Sequence, residues 1–288
     1  MFRKGVLLAV VALLSTTSLV HAQGTSLFSA TQDNIGVTWG ATYLSRYIWY
    51  GIDLFSDNHS AVQPFVSLDL WGTGWVFDTR WTRPCSSDNE VWEQIDYTLS
   101  YGGTCNEGSP CVTNWRAGWR YYNHPDGPIR HSDGCTQDLD RQELFATFAW
   151  PEIAPCGVVP SYTLVYVWPD ESGRKSNGCS THDGNSYWRQ AEGFVHVFGL
   201  AKEIPATCCL AGPDQKIKLS ADAVYNAGMG GRNVDHDWSH INWGIQTDIN
   251  VNDTTIFTPG FVYQTTMDKS VNTSDEYWFF LMLTFLSK

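Results

Sequence analysis

Alternation of apolar and polar residues is the feature that most constrains the fold of this chain. Almost everywhere after residue 34, aromatic and β-branched residues recur at every second position rather than at every third or fourth. In segment 91–101, for example, Ile95, Tyr97 and Leu99 share one face, and polar residues occupy the other. A period of two is typical of β-strands, because successive side chains point to opposite faces. The sequence therefore predicts an all-β fold.

Twelve segments of the chain show this alternation. Most of them have about 9–12 residues, whereas strands in soluble sheets typically have about 5–6. Strands of this greater length can cross a bilayer at a tilt. The predicted strands cover residues 35–50, 61–71, 75–83, 91–102, 113–122, 141–150, 159–168, 188–202, 216–226, 238–249, 255–266 and 276–286.

The connections between these strands alternate in length. Residues 72–74 and 250–254 are short connections, whereas residues 123–140 and 169–187 are long ones. If the chain starts on the periplasmic side, both long connections lie outside and both short ones lie in the periplasm, as in outer-membrane barrels. We therefore predict a single antiparallel up-and-down transmembrane β-barrel of about twelve strands in residues 23–288. Its expected location is the cell outer membrane, with the lipid bilayer as its partner.

The N-terminus has the pattern of a signal peptide. Arg3 and Lys4 precede an apolar run over residues 5–14, and the sequence Val20-His21-Ala22 follows. The apolar run is much shorter than the roughly 20 residues that a membrane-spanning helix needs. We predict a signal peptide over residues 1–22, cleaved after Ala22.

The composition excludes several classes of protein. Aromatic residues make up 14% of the chain, so it contains enough apolar material for a folded core. The formal net charge is −12, and a protein that binds nucleic acid needs a basic surface to neutralise phosphates. No nucleic-acid partner is therefore expected.

One alternative fold stays open, because a secreted, disulfide-stapled β-sandwich shows the same alternation. It would bind glycans through exposed Trp and Tyr side chains.

The alternation also assigns an inner and an outer face to each predicted strand. Polar side chains inside a barrel either line a water-filled passage or pair with one another across it, and the sequence leaves both alternatives open. The candidates for lining the lumen are Asp69, Asp78, Arg80, Gln94, Asp96, Arg116, Arg120, Glu143, Lys218, Asp222, His240, Asn242, Gln246 and Asp248. The aromatic residues expected to face lipid are Trp39, Tyr43, Trp75, Trp81, Tyr97, Tyr101, Trp119, Tyr166, Trp168 and Trp243.

All eight cysteines fall in the predicted connections. In an oxidising compartment such cysteines are expected to form disulfides that staple loops. Cys105 and Cys111 are the best candidates for a local bridge, because it would close a short turn. No metal site is predicted, since there is no CxxC pair and no histidine is spaced beside these cysteines.

A dense polar cluster, residues 235–240, contains an adjacent serine and histidine. Ser239 and His240 raise the alternative of a membrane-embedded lipid hydrolase. Neighbouring residues of a regular strand point to opposite faces, so we expect the two side chains to be unable to form a hydrogen-bonded pair. The simpler interpretation is a solvated loop that leads into the tenth strand.

Several short motifs resemble the Gcw-chp family of largely uncharacterised, probable bacterial outer-membrane proteins. They are residues 45–52 (SRYIWYGI), 63–64 (QP), 72–75 (GTGW), 93–97 (EQIDY), 101–103 (YGG), 121–125 (YYNHP), 142–145 (QELF) and 258–263 (TPGFVY). In the first motif, Tyr50 stands where the family pattern has Arg, and the cysteine-rich loops are a further departure. The resemblance implies a signal peptide, a membrane β-barrel and an outer-membrane location. It implies no substrate and no catalytic residues.

The architecture therefore favours a passive channel for small solutes. We predict neither an enzyme nor a cofactor, and the sequence leaves the oligomeric state open. The glycan-binding sandwich and the lipid hydrolase are the two alternative functions.

Overall fold

A computed structural model describes residues 34–55, 59–127, 129–130, 136–137, 139–170, 192–206, 215–230 and 234–287. The predicted signal peptide, residues 1–22, lies outside the described residues. No helix within the described ranges has the length and apolar character needed to span a membrane.

Twelve long strands form one antiparallel sheet that closes on itself. Each strand pairs with its neighbours in the sequence, and β1 pairs with β12, with Trp39 opposite Phe285. The predicted up-and-down barrel of twelve strands is therefore confirmed. The strands are β1 Gly36–Leu44, β2 Ala61–Asp69, β3 Trp75–Pro84, β4 Gln94–Cys105, β5 Thr113–Asn123, β6 Arg141–Ala149, β7 Val158–Pro169, β8 Gly193–Pro205, β9 Lys216–Ala227, β10 His236–Thr247, β11 Thr255–Thr266 and β12 Glu276–Leu286.

Shorter elements occupy the connections. Within the described residues, five short strands lie outside the twelve long ones: four of them pair as two hairpins, and one extends the main sheet. The short elements are the hairpins Ile48–Trp49 with Ile52–Asp53 and Ile129–Arg130 with Thr136–Gln137, the strand Ile249–Asn252, and the 3-10 helices Ser87–Trp92 and Pro155–Gly157. We call the end of the barrel that carries residues 70–74 the turn end, and the opposite end, which carries residues 45–55 and 59–60, the loop end.

Several strand boundaries differ from the prediction by two or more residues, and three of them concern the connections at the loop end. The first strand ends at Leu44 rather than at residue 50, because the chain turns into the barrel after Ser45. The fourth strand begins at Gln94 rather than at residue 91, because the preceding residues form the 3-10 helix that ends at Trp92. The eighth strand begins at Gly193, and residues 188–191 of its predicted start lie outside the described residues.

The outer surface of the barrel is apolar. Leu144, Leu200 and Phe279 are each exposed by at least 45%, and a soluble protein rarely exposes a contiguous surface of such residues. The aromatic side chains predicted to face lipid all lie on this surface. Trp39, Trp75, Trp81, Tyr97, Tyr101, Trp119 and Trp243 are exposed, and Tyr43, Tyr166 and Trp168 are partly exposed. A single closed sheet with an apolar exterior also excludes the soluble β-sandwich.

The core of the protein lies inside the barrel, at the loop end. Residues 45–55, which we call the inserted segment, fold inward instead of extending β1. Its buried residues Tyr47, Ile48 and Trp49 belong to the main apolar cluster. Strand residues of that cluster include Val165, Val167, Val195, Val197, Val224, Val262, Trp278 and Phe280. Apolar packing therefore fills the loop end of the barrel interior.

Candidate functional site

The interior of the barrel carries the polar residues singled out from the sequence. Of the fourteen, Asp248 follows β10 directly, and the others lie on inward-facing strand positions. The buried ones are Asp78, Arg80, Gln94, Asp96, Glu143, Asp222, His240, Asn242 and Gln246. The partly buried ones are Asp69, Arg116, Arg120, Lys218 and Asp248.

Charged side chains on β3 to β6 form ion pairs with one another. Arg116 Nη2 lies 2.8 Å from Asp78 Oδ2, two strands away, and Arg120 Nη1 lies 3.0 Å from Glu143 Oε1 on the adjacent strand. Arg116 Nε also donates a hydrogen bond of 2.8 Å to Ser100 Oγ. These contacts neutralise the charges on this wall but leave it polar.

A further pair of opposite charge, Arg80 and Asp96, consists of residues directly opposite each other on β3 and β4. Asp96 Oδ1 accepts a hydrogen bond of 2.5 Å from Gln94 Nε2, which also donates to Tyr47 Oη at 3.2 Å. Gln94 therefore connects the polar wall of the barrel to the inserted segment.

A fourth charged pair lies near the turn end of the opposite wall. Lys218 Nζ is 2.6 Å from Asp248 Oδ2, and Thr258 Oγ1 donates to Asp248 Oδ1 at 2.7 Å. The side chains of Lys218 and Asp248 are 20% and 15% exposed, and that of Arg116 is 33% exposed. Solvent therefore reaches the charged pairs in the turn-end half of the interior.

The inserted segment contacts β5 and β6 through its aromatic residues. Tyr50 Oη donates a hydrogen bond of 3.0 Å to Glu143 Oε2, and Tyr122 Oη donates to the same oxygen at 2.5 Å. The Arg141 guanidinium carbon lies 4.2 Å from the centre of the Trp49 ring. Burial, assisted by the charge of Glu143, raises the pKa of Tyr50 well above its ordinary value, so this phenol remains a donor.

The other side of the inserted segment contacts β10 and β11. Gly51 O accepts hydrogen bonds of 3.1 Å from Gln264 Nε2 and 2.9 Å from Asn272 Nδ2. Gly51 has φ +88°, and a Cβ there would lie 2.5 Å from His240 Nδ1. Only glycine fits this close approach. The inserted segment therefore crosses the interior from β5 and β6 to β10 and β11.

The sequence did not predict the inserted segment. Its residues, SRYIWYGI over 45–52, continue the aromatic and β-branched character of β1. Two signals distinguish it from a strand: four consecutive large apolar or aromatic residues, 47–50, and the glycine that follows them.

The adjacent residues Ser239 and His240 are not arranged as predicted. Pairing between β9 and β10 shifts by one residue, because Val224 pairs with His240 but Tyr225 pairs with Trp238. Ser239 is thus the extra residue of a β-bulge, which brings both side chains to the interior. Ser239 Oγ lies 2.6 Å from His240 Nδ1, so the prediction that these residues cannot form a hydrogen-bonded pair was wrong.

The position of this pair argues against the lipid-hydrolase alternative. Ser239 and His240 are each only 1% exposed and lie inside the barrel, away from the lipid-facing surface. His240 Nε2 has no hydrogen-bond partner among the described residues, so no third group orients the imidazole. A serine nucleophile for lipid would need both access and orientation.

Four cysteines lie within the described residues: Cys85, Cys105, Cys111 and Cys156. All four are free and exposed, so the disulfide predicted between Cys105 and Cys111 is not formed in this structure. Cys105 is the last residue of β4 rather than part of a connection, and its Sγ lies 3.6 Å from Thr113 O across the strand pair. Strand pairing therefore directs this thiol at the backbone of β5. The other four cysteines lie outside the described residues.

At the loop end, Asp140 organises the connection between β5 and β6. Its Oδ1 accepts a hydrogen bond of 2.7 Å from the backbone N–H of His124, and its Oδ2 accepts one of 2.7 Å from Tyr121 Oη. Partial burial favours the neutral acid, but the hydrogen bonds from His124 and Tyr121 outweigh it and hold the pKa of Asp140 at about 2.

Comparison with known proteins identifies relatives in fold only. No protein-family model matches this sequence, and no curated protein matches it. The solved structure of KdgM porin aligns with a TM-score of 0.50 at 6% identity, over 87% of this chain and 99% of the porin chain. NanC porin aligns with a TM-score of 0.50 at 10% identity, over 86% of this chain and 98% of that one. This chain therefore has the closed-barrel fold of these porins.

Proposed function

We propose that this protein is an outer-membrane β-barrel that passes small solutes, and that the inserted segment forms its constriction. The observation that carries the proposal is the contrast between the two faces of the sheet. The outer face is apolar, and the inner face carries ionised and polar side chains that solvent reaches near the turn end. A barrel with this distribution is stable in a bilayer and offers a hydrated path. The shared fold with KdgM and NanC porins supports the same proposal.

The inserted segment determines how such a passage works. Trp49 and Tyr50 are buried and reach β5 and β6, while Gly51 contacts residues of β10 and β11. An apolar constriction excludes water and ions without blocking the whole length of the barrel. The passage is therefore closed at the loop end in this conformation, and conduction requires the inserted segment to move.

Planar-bilayer recording tests the proposal. The mature protein, purified from membranes in detergent and never boiled, would be compared with a variant in which residues 47–54 are replaced by a short Gly-Ser linker. We expect discrete current steps from both proteins, and the steps of the variant should have a greater amplitude or a longer duration. Unboiled gel migration would show that both barrels are folded. A folded variant that never conducts would overturn the channel.

A second function is favoured by the apolar packing of the inserted segment. Eighteen buried residues form one cluster that includes this segment and residues of several strands, and such packing is also suited to a permanently closed barrel. If the barrel is permanently closed, the wild-type protein should show no current, and only the variant in which residues 47–54 are replaced should conduct. The same recordings therefore separate the two functions.

We also propose that the chain is a distant member of the Gcw-chp family. The order of the motifs from SRYIWYGI to TPGFVY supports this assignment, as does their placement on the inserted segment and on β2, β4, β5, β6 and β11. The test is whether a barrel of that family, solved independently, also folds its SRYIWYGI-like segment inward. An extended first strand there would contradict the assignment.

A further inference from the structure

Asp222 differs from the other buried acidic side chains of the barrel strands. It is 2% exposed, lies near the middle of β9 and faces the interior. Among the described residues it has neither a hydrogen-bond partner nor a charged neighbour. The remaining buried acids of the strands each lie beside a base: Asp78 with Arg116, Asp96 with Arg80, Glu143 with Arg120, and Glu276 with Arg46.

The nearest inward base on the same strand is too far away to compensate this carboxylate. Lys218 lies four residues before Asp222, which corresponds to about 13 Å along a strand. Its ammonium group is already paired with Asp248 at 2.6 Å. This strand therefore provides no positive charge to compensate the buried carboxylate of Asp222, and burial of an uncompensated charge is unfavourable.

Neighbouring strands place three further incompletely bonded side chains beside Asp222. Asn242 on β10 lies directly opposite Asp222, Gln264 on β11 lies directly opposite Asn242, and His240 is two residues from Asn242 on the same face. All three are at most 2% exposed. The buried atoms without a hydrogen-bond partner among the described residues are Asp222 Oδ2, Asn242 Oδ1, Asn242 Nδ2, Gln264 Oε1 and His240 Nε2.

Small residues adjoin this group at the level of Asp222 and towards the turn end. Gly199 lies directly opposite Asp222 on β8, and Ser220 on β9 pairs with Gly244 on β10. These positions add little side-chain volume beside the carboxylate. Ser220 and Gly244 lie between it and the Lys218–Asp248 pair, which solvent reaches from the turn end.

We propose that Asp222, Asn242, Gln264 and His240 form a binding site for a small organic cation that carries several N–H donors, such as a guanidinium group. The carboxylate supplies the charge, and the two amide oxygens supply further acceptors in a row across three strands. A planar guanidinium presents five N–H donors and suits such a row. A hard metal ion is disfavoured, because it takes oxygen ligands almost alone, whereas this site mixes oxygen with amide and imidazole nitrogen. The assignment rests on the proposed passage, whose interior gives the cation access.

Equilibrium dialysis of radiolabelled methylguanidinium against the purified barrel in detergent tests the site. We expect saturable binding of about one cation per barrel, weakened at least tenfold by Asp222→Asn and clearly weakened by Asn242→Leu, which removes no charge. Asp69→Asn is the matched control, since Asp69 is an inward acid at the turn end that accepts from the Gly72 N–H. This control should leave binding unchanged.

Three outcomes would overturn the site: no saturable binding to the folded wild type, equal loss in the Asp69 control, or full displacement by an equimolar amount of KCl. Unboiled gel migration establishes that each variant is folded. The assay needs no ion current, so it is separable from the test of the channel. Binding to a barrel that never conducts would support the site and contradict the passage, whereas conduction without binding would overturn the site alone.

Discussion

Tyr50 of the inserted segment donates a hydrogen bond of 3.0 Å to Glu143 on β6. The segment follows β1, and β6 lies five strands from β1 in the closed ring of twelve, which is almost the opposite side of the barrel. Glu143 also accepts from Tyr122 and pairs with Arg120. The carboxylate of Glu143 is therefore one of the groups that bind the inserted segment to the charged wall of the interior, with Gln94 and Arg141.

Tyr50→Phe should loosen this contact and increase conduction. Loss of a hydrogen bond to a charged group typically costs about 1.5–3 kcal/mol, so the inserted segment should leave its closed position more often. The measurement is open probability in planar bilayers. Tyr263→Phe is the matched control, because Tyr263 donates to Asp275 on the outer surface of the barrel. An equal increase in both variants would contradict the role of Tyr50.

Gly51→Ala should destabilise the closed position by a steric effect. The new Cβ would lie 2.5 Å from His240 Nδ1, at a residue with φ +88°. Gly108→Ala is the control, since Gly108 has φ +76° but no atom within 4 Å of an added Cβ. Both changes introduce backbone strain, and only the first introduces overlap, which typically costs about 1–3 kcal/mol. Urea unfolding in detergent should show Gly51→Ala to be less stable by about that difference. Equal stabilities would mean that the inserted segment readily moves away from β10.

Features of the fold that depend on neighbouring residues in the sequence could be predicted, whereas features that depend on contacts between distant residues could not. The strands and their outer faces follow from a period of two, as in Tyr97 and Leu99 of β4, and this signal is local. The inward position of Asp78 and Arg116 follows from the same period, but their 2.8 Å contact does not, because β3 and β5 are not adjacent in the sheet.

Two features escaped prediction for this reason. The bulge at Ser239 exists only in the register between β9 and β10, so the sequence of β10 alone carries no sign of it. The inserted segment is stabilised by contacts with β5, β6, β10 and β11, while its own sequence resembles a continuing strand. In both features, contacts between residues that are distant in the sequence determine the structure.

Asp78→Asn should make the passage more selective for anions. It leaves Arg116, which is 33% exposed, without its carboxylate partner, so a positive charge faces the water-accessible half of the interior. We expect the permeability of chloride relative to potassium to rise by at least about twofold. Reversal potentials in a KCl gradient provide the measurement. The double variant Asp78→Asn/Arg116→Gln is the control and should return selectivity towards that of the wild type. A shift that persists in the double variant would show that another charge is responsible.

Acid should weaken the barrel through Asp140. Its pKa in the folded protein is about 2, below the ordinary 3.8, so the unfolded chain binds the proton more readily. The stabilising contribution is therefore fully present above about pH 4 and is lost as the pH falls through about 2. Because Asp140 is only partly buried, we expect its loss to cost about 1 kcal/mol.

Urea unfolding of the wild type and of Asp140→Asn between about pH 5 and about pH 2 measures this contribution. The difference between the two proteins should shrink as the pH falls, because protonation of Asp140 removes the same acceptor that the substitution removes. Asp126→Asn is the control, since Asp126 lies in the same connection with an exposed side chain. This substitution should leave the pH dependence of the wild type intact. A constant difference between wild type and Asp140→Asn would instead mean that Asp140 acts through packing, because a packing contribution does not depend on the ionisation of the carboxylate.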